Sequence, residues 1–436
     1  MTTRETAGTT LTEDDAARIC AAADTCYPSL FDLYTRLHAA PELSRQEVTT
    51  SHLIAHELES SGFRVTREVG GYGVVAVLEN GEGPTVMVRT DLDGLPIEEK
   101  TGLPYASSAR GTLPGKGDVG VMHACGHDVH MTVLVGTARL LVSLRDRWRG
   151  TLVLVGQPAE EIGAGARAMI DDGLFTRFPR PDCALALHVS PSLAAGTVGI
   201  REGLFWAGCA SLELLIRGVG GHGSRPHETK DPIVMAAETV LLLQTIVSRE
   251  IDPVEPAVLT VGSINGGTKG NIIPEEVLLQ VNYRYFSPET DRRLRAAIER
   301  TARGVAVAAG VPEDRMPVVS EQYTGAPVRN EPELTRRLSS AFRAVLGRKN
   351  VLRVERFTYS DDFSLFGAIE PEIPLCYFLL GTSPPSQAGG KETDVPGIHN
   401  PRFAPLPEPT ITAGVKAMAA AALEALLGSS HHAEKP

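Results

Sequence analysis

Met122-His123-Ala124-Cys125-Gly126-His127-Asp128-Val129-His130 is the stretch on which the reading of the chain turns. Gly126, between Cys125 and His127, lets the backbone turn sharply and aim a thiolate and an imidazole at one point. Asp128 is placed to hold an imidazole in one tautomer from behind. An apolar helical pattern runs from about Met131 to Val142. The cluster is therefore expected on a loop opening into a helix, whose N-terminus favours a partly exposed thiolate. Alone, the stretch fits metal binding and a histidine-rich turn with an inert buried cysteine about equally.

Composition narrows the classes. At 436 residues the chain is long enough for two or three domains, each with its own core. Apolar and charged contents of 42% and 22% are those of a globular protein. A net charge of −11 and the lack of a Lys/Arg-rich run argue against nucleic acid or an anionic membrane as partner. No apolar run approaches the roughly 20 residues that span a bilayer. The polar, acidic Met1–Asp15 segment has no apolar core of a signal peptide. Cysteines 20, 26, 125, 183, 209 and 376 form no CxxC pair, which suits a reducing compartment. A cytoplasmic protein is expected. The tail after Gly428, with its paired histidines, reads as disordered and solvated.

Helical patterning covers Ala16–Ala23, about Tyr27–His38, and Val48–Ser61 ending at Gly62. β-like runs follow at Arg64–Val69, Gly73–Leu78 and Thr85–Arg89. The last enters Asp91-Leu92-Asp93-Gly94, which is turn chemistry or a functional strand end. Lys100–Val121 reads as a Gly/Ser-rich loop. The strand Thr151–Gly156 runs into Glu160-Glu161, and the strand Asp182–Leu187 ends at His188. Adjacent glutamates at a strand end can divide labour, one on a metal and one toward substrate. Potential ligands recur at consecutive element ends, which is harder to reach by chance than any single case.

From about residue 204 the pattern changes to strand–helix–strand–strand–helix, with Ser211–Arg217, about Pro232–Arg249, Ala257–Ile264, Val277–Phe286 and about Glu289–Ala309. This order suits a small α+β sandwich inserted in an α/β fold. Pro312–Pro317 reads as the return linker. The domains are thus expected at 1–203, 204–316 and 317–436, the first and last forming one unit. A helix at Pro332–Leu346, a strand at Leu375–Leu380, a loop with Gly389-Gly390 ending at His399-Asn400-Pro401, and a helix at about Ile411–Leu427 complete the chain.

Taken in order, residues 89–96 (RTDLDGLP), 123–130 (HACGHDVH), 157–161 (QPAEE), His188, 220–227 (GGHGSRPH), 271–274 (NIIP), 360–364 (SDDFS) and 399–401 (HNP) resemble the aminoacylase/carboxypeptidase metallopeptidase family. Within it they are most similar to the amidohydrolase branch of hippurate and indole-acetyl-amino-acid hydrolases. The resemblance covers about residues 28–425. It implies a zinc-peptidase-like α/β catalytic domain with an inserted ferredoxin-like lid that makes a homodimer contact. It also implies two divalent ions, Zn or Mn first and Ni or Co as alternatives. Carried residue by residue, it puts a bridging ligand on Cys125 and terminal ligands on His127, Glu161, His188 and His399. Glu160 falls on the general base. Asp91 stands where other branches have a ligand histidine, and Cys125 where they have a bridging aspartate.

The chemistry implied is hydrolysis of the amide of an N-acyl amino acid. His222 would donate to the tetrahedral oxyanion. Asn271 and Arg284 would grip the substrate carboxylate. Asp93 and Asp128 would orient ligands from behind. His123, His130 and His227 are read as structural or as supporting the ligands from behind. A dipeptidase or exopeptidase of the same family is the nearest alternative. A Cys125 nucleophile and a non-catalytic metal-retaining binding protein are the others.

Overall fold

The computed structural model describes residues 10–388 and 395–428. The Gly389-Gly390 turn, the tail histidines, and all but the last few residues of the Met1–Asp15 segment lie outside the described residues. Two compact units emerge, one of Met1–Phe205, Arg329–Glu355 and Asp362–Pro436, the other of Trp206–Val328 and Arg356–Asp361.

The first unit is α/β. At the heart of its ten-stranded sheet lie Thr151–Gln157, Thr85–Asp91, Cys183–Ala194 and Leu375–Ser383, each parallel to its neighbour. Gly73–Glu79 and Arg64–Val69 continue the sheet antiparallel on one side. The central strands are buried nearly end to end, as parallel strands covered on both faces must be. Their register sets Asp91 beside Gln157 and His188 beside Leu379. Their carboxyl ends therefore deliver Asp91, the Glu160 turn and His188 to one edge, where α/β sheets place ligand sites.

Helices Glu13–Ala39, His127–Ser143 and Pro407–Leu427 pack against one another over this sheet. Among the described residues, Pro232–Arg249 and Pro407–Leu427 are the two helices long and apolar enough to cross a membrane, a length not expected from the sequence. The apolar stretch of Pro407–Leu427 is 83% buried inside the protein, as in a core helix. Gly136 lets the helices approach closely, since a Cβ there would lie 2.5 Å from a Val415 methyl.

Glu13–Ala39 is one helix, not the two segments expected. Thr12 and Asp15 form a capping box at its start. Pro28 does not break it. Both Pro28 and Asp24, whose carbonyl loses its helical partner, lie on the exposed side where water substitutes. The loop expected at Lys100–Val121 contains a hairpin of Arg110–Leu113 and Gly117–Gly120.

The second unit is a four-stranded antiparallel sheet with two helices, Pro232–Arg249 and Pro288–Ala308. Across the sheet the strands run Val258–Gly266, Glu276–Tyr285, Gly208–Arg217 and Val318–Gly325, which with the helices is the ferredoxin-like order. The return linker expected at Pro312–Pro317 is therefore displaced. Val318–Gly325 is the fourth strand, paired with Gly208–Arg217, and the unit runs to Val328 rather than to 316. The strand is an edge with mostly exposed side chains, so it carries no apolar alternation to mark it.

Candidate metal centre

Gly126 takes φ 79 and caps the helix that starts at His127. A Cβ there would lie 2.5 Å from a Val189 methyl. We expect Gly126→Ala to cost about 1–3 kcal/mol in strain and overpacking. It should also weaken metal binding by moving Cys125, with thermal unfolding and metal-titration calorimetry as the measurements.

The turn brings Cys125 and His127 to the strand ends. His127 Nδ1 donates to the Asp93 carbonyl at 2.8 Å, so Nε2 is the nitrogen that faces the carboxylates. Burial alone would lower His127, but Asp91, Asp93 and Glu161 raise it to about 10, so a bound ion displaces a proton from Nε2. That Nε2 is buried with no hydrogen-bond partner. His188 Nδ1 donates to the Val189 carbonyl at 2.8 Å, and its Nε2 lies 3.3 Å from Cys125 Sγ. Glu161 Oε1 is likewise buried without a hydrogen-bond partner, 3.9 Å from His127 Nε2. Glu161 Oε2 lies 3.5 Å from His399 Nε2. Glu160 Oε2 lies 3.9 Å from His127 Nε2.

Cys125, His127 and His188 hold their donor atoms within 4.8 Å of one another, and so do Cys125, Glu161 and His399. Cys125 is common to both groups. Donors held 2.0–2.3 Å from one tetrahedral ion stand about 3.5 Å apart, close to the Cys125–His188 and Glu161–His399 separations. Sulfur, imidazole and carboxylate groups whose buried polar atoms lack hydrogen-bond partners fit divalent metal ions.

The surroundings differ from expectation in several places. Cys125 is buried, not partly exposed. Burial, then the charges of Glu161, Glu160 and Asp91, push its thiol well above the ordinary value. The carboxylates outweigh the helix N-terminus, which lowers the case for a free nucleophilic thiolate. Burial also raises Glu161 to about 7 and holds His188 neutral. Asp93 meets His127 with its backbone carbonyl and with its carboxylate, Oδ1 lying 3.5 Å from Nδ1, while its Oδ2 accepts from Ser44 Oγ at 2.6 Å and from the Glu161 amide at 3.0 Å. Asp91 is occupied by Arg89 at 2.9 Å and His130 at 2.7 Å. His130 accepts the Val189 amide on Nε2, so its proton sits on Nδ1 facing Asp91. Asp362 takes Gln157 Nε2 at 2.6 Å and the Ala166 amide at 3.0 Å. His123 is buried with neither ring nitrogen hydrogen-bonded, and burial lowers it to about 4.

Asp128 does not hold a ligand imidazole. Its Oδ2 lies 2.6 Å from His38 Nδ1, and Glu99 sits 3.0 Å from the other nitrogen. The cause is the long first helix, whose His38 reaches this carboxylate. Burial alone would lower His38, but hydrogen bonds with Asp128 and then Glu99 raise it to about 10. A folded value above the unfolded one, about 6.5, stabilises fully below pH 6.5 and is lost as pH climbs toward 10. We expect His38→Gln to cost about 3–5 kcal/mol near neutrality by leaving buried carboxylates without their cation. The gap to wild type should narrow between about pH 6.5 and 10, read as unfolding temperature against pH.

In the second unit, His222 is exposed on a short ribbon, opposite Ile272. The Ser224 amide donates to its Nδ1 at 3.1 Å, which puts the proton on Nε2. The Gly223 amide bonds the Asn271 carbonyl at 2.9 Å, so His222 and Asn271 share that ribbon. Arg284 donates Nε to Asn282 Oδ1 at 3.1 Å on the sheet. His227 is exposed beside Glu228.

Glu47, His38 and Glu99 also surround the site, and no sequence pattern marks them. Each is a lone polar residue in a loop or on a helix, and only the long-range packing reveals its partner.

Comparison with known proteins fits this centre. The family model for peptidase family M20/M25/M40 matches residues 87–424. The chain is 35% identical over 363 residues to an IAA-amino acid hydrolase (ILR1-like 2) of Arabidopsis thaliana, covering 81% of this chain and 78% of that one. It is 37% identical over 309 residues to N-acetyldiaminopimelate deacetylase of Leuconostoc mesenteroides, covering 70% and 77%. Its fold superposes with a TM-score of 0.73 on the crystal structure of a dinuclear metal-binding peptidase of the M20 family from Bacillus subtilis, at 29% identity over 92% of this chain and 99% of that one. The chain belongs to peptidase family M20/M25/M40 and is a hydrolase of amide bonds.

Proposed function

We propose that the chain hydrolyses the amide of N-acyl amino acids at a centre for two divalent ions. The observation that carries the reading is Cys125 shared between two donor groups, with Glu160 beside them. Cys125 with His127 and His188 would hold one ion, and Cys125 with Glu161 and His399 the other. When bound, the ions supply Lewis acidity to a carbonyl oxygen and make a water more acidic. Zn suits the thiolate, imidazole and carboxylate donors, and Mn, Ni and Co are the alternatives.

Glu160 takes a proton from the attacking water at its carboxylate and returns it to the departing amine. It is only slightly exposed, so the exchange is shielded from bulk solvent. The resemblance keeps His222 as the oxyanion donor and Arg284 with Asn271 for the substrate carboxylate. Two relatives named for cleaving IAA-amino acid conjugates and N-acetyldiaminopimelate support an acyl group on an amino acid as substrate.

The reading includes a cytoplasmic homodimer through the second unit. Its helix Pro232–Arg249 exposes Ile233, Val234, Leu241 and Leu242, and the edge strand Val258–Gly266 exposes Val258 and Ile264. Exposed apolar side chains beside an open strand edge support self-pairing. The experiment is a panel of hippurate, N-acetyl amino acids and dipeptides on protein stripped and reloaded with each ion in turn. Turnover of the N-acyl amino acids above the dipeptides supports the reading. Preference for dipeptides, or no turnover with any ion, removes it.

A further inference from the structure

We infer that Glu47 is a positioning residue that fixes the turn carrying Glu160, through its hydrogen bond to the Ala159 amide. The inference rests on the role proposed above for Glu160.

Glu47 lies just before the helix Val48–Ser60, in the N-cap position, yet its side chain makes no cap hydrogen bond. It turns inward and is fully buried. Oε1 accepts the Ala159 amide at 2.7 Å, and Oε2 is buried without a hydrogen-bond partner. A buried carboxylate with an idle oxygen is expensive to keep for stability alone. What it holds is unusual backbone. Ala159 has φ 52, a left-handed conformation that a residue with a Cβ keeps only when its surroundings impose it.

Glu160 is thus tied on both sides. The amide before it donates to Glu47, and the amide after it, of Glu161, donates to Asp93 Oδ2 at 3.0 Å. Both ties reach back to one loop, because Ser44 Oγ donates to the same Asp93 oxygen at 2.6 Å. The downstream arm of the turn is closed by the Ala164 and Gly165 amides on the Ala159 carbonyl, at 3.1 and 3.2 Å. Gly165 has no room for a side chain, since a Cβ would lie 1.6 Å from the Pro158 carbonyl oxygen. Released from Glu47, Ala159 can relax to an ordinary φ, and that rotation swings Glu160 away from His127. Loss of a partner behind a catalytic group lowers rates on the order of 10–100-fold.

The test compares Glu47→Ala, Glu47→Asp and Glu47→Gln in the full-length, metal-loaded protein. Gln keeps an acceptor at the same reach. Asp keeps the charge but is one methylene too short for the Ala159 amide. Burial, with Asp93 nearby, raises Glu47 to about 7, so a neutral amide is a close substitute. Expected are kcat values lowered about 10–100-fold in the Ala and Asp variants with KM within about twofold, and kcat restored in the Gln variant. Amide exchange measured by mass spectrometry should rise in the segment 158–165 for Ala and Asp and stay at the wild-type level for Gln. If Glu47→Ala fails to fold, the Asp–Gln pair alone decides. Equal kcat in Asp and Gln, or unchanged exchange in 158–165, overturns the inference. An inactive wild type refutes the role of Glu160 instead, and the exchange comparison still tests the tie to Glu47.

Discussion

Glu160→Gln is expected to retain its metal ions and lose hydrolysis, with kcat lowered on the order of 10²–10⁴-fold. The substitution keeps the size and the planar shape of the side chain, so the turn held by Glu47 and Asp93 is unchanged. It removes the one property the reaction needs, a carboxylate that gains and gives up a proton. Because the effect falls on the transition state, KM should change little while kcat and kcat/KM fall together. Metal content by mass spectrometry and steady-state turnover measure the two halves. Turnover within about tenfold of wild type would remove Glu160 from its role.

Chelation is expected to abolish turnover, with recovery on adding back ions. Ligand removal should also lower the unfolding temperature, since ions held at about 100 times their dissociation constant stabilise the folded state by about 2.7 kcal/mol. Cys125→Ala should have a larger effect than a change at Glu161 or His188, because the proposed arrangement gives its sulfur to both ions. Its metal content should fall below that of a Glu161 or His188 variant, each of which belongs to one side only. A thiol hydrolase would lose activity in Cys125→Ala but survive the chelator. The two experiments together therefore separate thiol from metal chemistry. The buried Cys125 thiol, raised by its carboxylate neighbours, already weighs against the former.

Much of the grouping of candidate donors was legible because those residues stand at strand ends and turns, where sequence pattern and topology coincide. Asp91, Glu160, Glu161 and His188 each follow or end a clear apolar run, and parallel strands in register carry them to one edge. Less legible were features decided by packing at a distance. Pro28 looks like a helix stop, but its exposed side lets the helix run through. Val318–Gly325 has too few buried positions to alternate, so its pairing was invisible until the partner strand was known. Asp128 stands beside a ligand histidine in sequence yet bonds His38, ninety residues earlier, because a helix points its neighbours in different directions. Glu47 looks like an ordinary helix cap, and only the left-handed Ala159 reveals its partner.

Anomalous X-ray scattering from crystals of the metal-loaded protein, collected on either side of the absorption edge of the added ion, locates the ions directly. Expected are two peaks, one bounded by Cys125, His127 and His188 and the other by Cys125, Glu161 and His399, with Cys125 Sγ between them. Peaks that lie elsewhere, or a single ion without contact to Cys125, would contradict a two-ion centre beside Glu160.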